Sequence, residues 1–336
     1  MGGVRVLSRR RFWAATGMCA LFLLVMLITM PLIGSSRIDF GGVLEGRSPD
    51  REIFVHARLS RVLLAALAGG ALALAGVIFQ ALLRDALATP FTLGVSSGAS
   101  LGAVVAICLG WQTVAGLPAL WVLSFLGAAG MMLVVMWIAS EERRMSSFTL
   151  LLAGVTINSM CMAAILFLHY MASFGQSFAI VRWLMGGVDA VEYRTLAMVA
   201  ALVAPAVVVA IAQSKDLNLL AVGEQWAATR GVAVSRTMVT AYLVGSFLTG
   251  VVTAMTGPIG FVGLIVPHGL RLVVGADHRV LVPCSFCVGA GFLAACDTLA
   301  RTMLAPAEVP VGVVTALVGG PCFIWLLRRR RPVVWS

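Results

Sequence analysis

The side chains with the means to bind or react are few, and most of them do not cluster. Cys284-x-x-Cys287 has the spacing of a metal or redox pair, but it stands near the start of an apolar run with no second ligand pair. Its thiols, like those of Cys19, Cys108, Cys161, Cys296 and Cys322, read as small hydrophobes that pack well. His56, His169, His268 and His278 are too scattered for a metal site. The sequence has no Walker loop, dinucleotide fingerprint or nucleophile–base constellation. No catalytic residue, metal ligand or bound cofactor is therefore expected, and the chain is not read as an enzyme. The basic residues say more. Arg58 and Arg61, three apart, open the run RLSRVLLAALAGG, and Arg301 closes DTLAR. Guanidinium meets carboxylate bidentately, so this trio has the chemistry to engage an acidic partner. Snorkelling to lipid phosphates is the competing use.

Composition sets the environment. Hydrophobic residues make up 60% of the 336 and charged residues only 11%, with a mean hydropathy of +1.01. A soluble domain carries about a quarter charged residues. The apolar residues come in runs of about twenty, long enough to cross a bilayer as helices. The formal charge of +10 does not indicate nucleic acid, because the arginines flank apolar runs instead of lining one soluble face.

Ten candidate spans follow: 13–33, 62–83, 92–109, 118–139, 148–170, 195–212, 236–255, 260–274, 280–300 and 309–327. The first is longer than a signal-peptide core and has no A-x-A site, so it is expected to be retained. An even count puts both termini on one side. About sixteen of the 24 basic residues, including Arg5, Arg9 to Arg11, Arg84, Arg143 and Arg328 to Arg331, then fall on the cytoplasmic side. Arg37, Arg58, Arg61 and Arg301 fall outside. Ser60-Arg61 and Ser235-Arg236 open Gly/Ala-rich helices five spans apart, a weak inverted repeat. The expected fold is an all-α polytopic membrane protein. A basic N-terminus (1–12) precedes a single membrane domain (13–330) that carries a cytoplasmic loop at 213–235.

That loop, QSKDLNLLAVGEQWAATRGVAVS, contains two short helices broken at Gly223. Leu217, Leu219, Leu220 and Val222 form an apolar face, and Trp226 to Thr229 form a second turn. The segment reads either as a docking surface for a soluble partner or as an interfacial helix anchored by Trp226.

From Arg58 to Arg330 the chain resembles the FecCD permeases, the membrane subunits of type II ABC importers for iron chelates, haem and cobalamin. The matching segments include RLSRVLLAALAGGALALAGVIFQALLRDALATPFTLGVSSGASLGA, LLLAGVTINS, WLMGG, LNLLAVGEQWAATRGV, GPIGFVGLIVPHGLRL and DTLARTMLAPAEVPVGVVTALVGGPCFIWLLRR. The cobalamin permease is a close relative by this reading. The resemblance implies a homodimer of ten-helix subunits in the bacterial inner membrane, with both termini cytoplasmic. It also implies two ABC ATPase subunits inside, which bind ATP and Mg and hydrolyse the ATP, and an extracytoplasmic substrate-binding protein outside. Transport would be by alternating access, with an iron(III)–siderophore as the expected cargo and cobalamin or haem as the alternatives.

Carried over by motif, Leu219, Gly223, Glu224, Arg230 and Gly231 form the ATPase-coupling surface. Arg58, Arg61 and Arg301 are the residues that dock the binding protein. The cytoplasmic gate falls at Asp85 and Leu87 and at Ser146 and Ser147. There Asp85-Ala86 replaces the family's Asn-Pro, which removes the extended bias that proline imposes on its neighbour. An Arg84–Asp85 contact is the expected local substitute. RLSR in place of RLPR is a smaller departure. An ion-coupled secondary carrier is the remote alternative, with Asp297 as its main mid-membrane candidate. A redox protein would need paired ligands on facing helices.

Overall fold

In a computed structural model of the chain, which describes residues 9–36, 38–141 and 144–329, each expected span is a helix. The opening helix is α1 (Arg9–Thr29), which tightens into a 3₁₀ turn at Met30–Leu32. Short helices α2 (Phe40–Leu44) and α3 (Asp50–Glu52) follow, and a π-helical stretch, Ile53–Leu59, leads into α4 (Ser60–Leu82). Next come α5 (Val95–Leu109), α6 (Ala119–Ala139), α7 (Ser147–Met171), α8 (Phe174–Leu184) and α9 (Tyr193–Ala212). The loop helices are α10 (Ser214–Val222) and α11 (Glu224–Thr229). The last four are α12 (Val234–Thr256), α13 (Val262–Val274), α14 (His278–Thr302) and α15 (Val311–Arg329). Among the described residues strand is confined to two minimal hairpins, β1 (Thr113–Val114) with β2 (Leu117–Pro118) and β3 (Ser140–Glu141) with β4 (Arg144–Met145). Arg5, Arg37, Arg143, Arg330 and Arg331 lie outside the described residues.

Among the described residues seven helices are long and apolar enough to cross a membrane, and α5, α13 and α15 are shorter apolar helices. The backbone ladder of each helix satisfies its own polar groups, as lipid requires. Helix α4 is the centre of the bundle, almost wholly buried and packed on α14, α12, α13 and α9. Its glycines explain the closeness. A Cβ on Gly69 would sit 2.2 Å from the Gly289 carbonyl oxygen of α14, and one on Gly76 would sit 1.9 Å from that of Gly263 on α13. Small residues let the backbones touch. By contrast α1 is mostly exposed along its length and packs chiefly on α14.

Two spans are interrupted. At 1.5 Å per residue, α5 and α13 reach only about 22 and 20 Å, short of a hydrocarbon layer about 30 Å thick. A non-helical segment precedes each one, 85–94 before α5 and 257–261 before α13. Irregular backbone at membrane depth is tolerated only where protein or a cavity covers it. Here Ala88, Leu93 and Ile259 are buried, and Phe261 takes a left-handed backbone (φ +68°) to start α13. The two interruptions fall in the third and eighth spans, five apart, as an inverted repeat places them.

The bundle has two distinct ends. At the upper end α1 finishes, α4 begins and α14 finishes. At the lower end α4 finishes at Leu82 and the 83–88 turn follows, near α7's start, α10, α11 and the start of α14.

Candidate functional site

The interrupted spans face a common space. A cavity of about 570 Å³ is lined by Phe91 from the first interruption and by Pro258, Gly260 and Phe261 from the second. Ser97, Ser100, Asn158, Met162 and the start of α15 complete it. The lining contains no carboxylate, imidazole, thiol or cation. Such a wall offers weak hydrogen bonding and dispersion, and little to hold a charged group.

The upper end carries the three arginines, and the structure sets them inside the chain rather than on an open rim. Arg61 is bidentate to Asp297, with Nε 3.1 Å from both carboxylate oxygens and Nη2 3.0 Å from Oδ1. Its Nη1 donates to Glu308 at 2.9 Å. Asp297 is fully buried and Glu308 half exposed. Asp297, the carboxylate that an ion-coupled carrier would have to use, thus stands near the end of its helix and is committed to an arginine. Arg58 donates to the carbonyls of Leu32 (3.3 Å) and Ser36, and so stitches the turn after α1 to the start of α4. Arg301 donates to Met30 O (3.0 Å) and Thr298 Oγ1 (3.3 Å), while its buried Nε has no partner among the described residues.

The lower end brings together residues that are far apart in sequence. Arg84 Nη2 lies 3.2 Å from Glu224 Oε1, and the Ser147 hydroxyl lies 3.0 Å from the same oxygen. That hydroxyl is also 3.0 Å from Leu82 O, at the end of α4. The anticipated Arg84–Asp85 contact is not what forms. Asp85 Oδ1 instead accepts from Leu87 N at 2.9 Å, an Asx turn that closes the loop without a proline. With its neighbour's carboxylate so engaged, Arg84 crosses to Glu224. Leu87 and Ser146 are exposed, and Ser146 caps α7.

Helices α10 and α11 meet at Gly223, whose φ of +157° with ψ of 147° suits glycine alone. The bend presents Val222 and Trp226 outward, both more than half exposed. Leu219 is half-buried on α10, and Arg230 and Gly231 are exposed past the end of α11. Opposite, Asn218 bolts α10 to the start of α14. Its amide donates to Asp277 Oδ1 and its oxygen accepts from His278 N, both at 2.8 Å. Burial pushes the Asp277 carboxyl upward, but hydrogen bonds from Arg279 and Asn218 outweigh it and bring the pKa down to about 2.

Sequence reasoning missed Glu308, Asn218 and Asp277, and gave Arg84 the wrong partner, because nothing local announces a partner more than fifty residues away. Helix α8 was missed too, although Ser173-x-x-Gln176 spells its capping box. Among the described residues no group of three or more His, Cys, Asp or Glu is placed to hold a metal ion.

A family model described as the FecCD transport family matches residues 21–329. The haemin transport system permease protein HmuU of Yersinia pestis is 37% identical over 92% of this chain and 95% of its own length. The vitamin B12 import system permease protein BtuC of Klebsiella pneumoniae is 37% identical over 96% of this chain and 95% of its own. Among solved structures, an inward-facing conformation of a putative metal-chelate type ABC transporter superposes with a TM-score of 0.84 at 28% identity. It covers 95% of this chain and all of that one.

Proposed function

The chain belongs to the FecCD transport family, and on that premise we propose that it is the permease subunit of an ATP-binding-cassette importer for a bulky metal chelate. The observation that carries the reading is the uncharged cavity between two interrupted spans of opposite halves. Paired interruptions of this kind mark the cargo path in transporters built from inverted repeats. The walls offer no imidazole, thiol or carboxylate to compete for a metal, which suits a cargo whose metal is already fully coordinated. An iron(III)–siderophore is our first choice. Haemin and cobalamin are favoured next, by the relatives that carry those names.

ATP hydrolysis is assigned to a partner. The bent α10–α11 pair, with Val222 and Trp226 exposed beside Glu224, has the form of a docking surface for two ATPase subunits on the cytoplasmic side. We place both termini on this same side, in line with the even number of spans and the arginines that flank the first and last of them. A second copy of the chain is the partner expected beside it within the membrane. The arginine cluster fits an acidic binding protein at the upper end. A carboxylate arriving there would replace neutral carbonyls as acceptors for Arg58 and Arg301 and would satisfy the unpartnered Arg301 Nε. The arginines already donate as cations, so the carboxylate would add the opposite charge and a bidentate geometry that a carbonyl lacks. Its attraction would act mainly on encounter rate and register.

The test is uptake by starved cells with and without this gene, using radiolabelled ferric siderophores, haemin and cyanocobalamin in parallel. Loss of one label on deletion, restored by the gene, identifies the cargo. Loss of haemin or cyanocobalamin uptake alone would overturn the siderophore choice. Normal uptake of all three classes would overturn the metal-chelate reading.

A further inference from the structure

We propose that Glu224 is a positioning residue that clasps the α10–α11 bend to the lower gate, and that Ser147 is the switch that lets the clasp open without breaking the bundle. The inference rests on the reading of α10–α11 as the ATPase surface and adds the residues through which its motion would be delivered. Glu224 is the first residue of α11, directly after the Gly223 bend. One of its oxygens receives two donors from two different elements: Arg84, beyond the end of α4, and Ser147, at the start of α7. Those two elements carry the gate segments. A movement of the bend therefore pulls on both at a single atom.

A serine hydroxyl has one proton, and here two acceptors stand at the same distance, Glu224 Oε1 and Leu82 O, each 3.0 Å away. Ser147 is buried. Leu82 O belongs to the last turn of α4, where carbonyls have no partner within the helix. When Glu224 withdraws, the proton turns to Leu82 O, so α4 and α7 stay joined and no buried hydroxyl is stranded. Arg84 has no such reserve. It is held in a left-handed backbone (φ +52°) that residues with a side chain avoid, and loss of Glu224 leaves it free to relax and shift the 84–88 turn. The clasp thus divides the lower end into a fixed seam, Leu82–Ser147, and a releasable one, Arg84–Glu224.

The experiment uses the complete transporter in inside-out vesicles. Asn158→Cys in the cavity reports the gate through its rate of labelling by a membrane-impermeant maleimide, in a Cys322→Ser background. Labelling is read with and without Mg-ATP and vanadate, with the amount of assembled transporter measured in each preparation. Glu224→Gln and Arg84→Gln are each expected to shift the labelling rate by about two- to fivefold in one common direction, as a part-exposed ion pair allows. The double variant is expected to shift it no further, and Arg84→Glu with Glu224→Arg to restore the parental rate. Ser147→Thr, which keeps the hydroxyl, is expected to match the parent, whereas Ser147→Ala is not. Multiplying effects of Glu224→Gln and Arg84→Gln, or no effect of either, would overturn the clasp. If the parent itself does not respond to Mg-ATP and vanadate, it is the importer reading that fails. If parent and variants all respond alike, the importer reading stands and the clasp falls.

Discussion

Asp297→Ala is the most informative single perturbation of the upper end. The substitution removes three N–H···O contacts of 3.0–3.1 Å from Arg61 and leaves that guanidinium with Glu308 alone. Breaking a buried pair from one side costs about 3–5 kcal/mol, because the surviving charge stays desolvated. The retained Glu308 contact places this site at the lower figure. With an unfolding entropy of about 2.1 cal/mol/K per residue, a chain of this length has about 0.7 kcal/mol/K, so a loss of about 3 kcal/mol lowers the melting midpoint by about 4 °C. The apolar pair Arg61→Met with Asp297→Leu removes both charges together, and is expected to melt within about 2 °C of the parent or above it. Thermal unfolding of the detergent-purified protein, followed by a thiol-reactive dye, reads both. The double variant is nevertheless expected to lose capture of the binding protein, since the proposed docking role needs the cation and stability does not. If Asp297→Ala melts with the parent, or the apolar pair melts below it, the reasoning about a desolvated pair is refuted.

Gly76→Ala is expected to collapse the yield of folded protein, because its Cβ would lie 1.9 Å from the Gly263 carbonyl oxygen and overpacking against backbone costs about 1–3 kcal/mol or more. Gly130→Ala, with nothing within 4 Å of its Cβ, is expected to elute and melt like the parent by size-exclusion chromatography and thermal scan. Gly223→Val is expected to leave insertion intact while ATP hydrolysis by the assembled transporter proceeds with little uptake, since valine cannot hold the bend; normal uptake per ATP would remove the bend from the coupling surface. The Asp277 link has a worked sign: its folded pKa of about 2 lies below the ordinary 3.8, so its stabilisation is complete above about pH 4 and is lost as the pH falls towards 2. Protease protection of the α10–α14 junction is therefore expected to stay flat from about pH 8 to 5 and to fall only in that acid window.

The ten spans were legible because long apolar runs leave the helix little competition, and each helix lies within a few residues of its expected bounds. The interruption before α13 was legible as a short Gly- and Pro-rich run, but its pairing with the one before α5 was not, because the cavity they share is a property of the packed bundle. Residue types at the functional ends could be read, and partners could not. Arg61 finds Asp297 at a separation of 236 residues and Arg84 finds Glu224 at 140, distances over which periodicity carries no information. The local guess at Arg84–Asp85 lost to another local competitor, the Asx turn, in which the aspartate bonds a backbone N–H instead of the neighbouring guanidinium.

The contact of α1 with α14 also fixes a sequence of events in the making of the protein. Helix α1 leaves the ribosome long before α14 exists, and Met30 waits 271 residues for Arg301. Throughout that interval α1 must stand in lipid by itself, a task suited to its largely exposed, uncharged apolar body. Helix α4 is the opposite: Gly/Ala-rich, with a cation at its mouth, it is stable only once α12, α13 and α14 enclose it and Asp297 arrives. The ninth span is thus the keystone. A chain interrupted before residue 278 would hold Arg61 at the membrane boundary without the counter-charge that Asp297 supplies in the finished bundle.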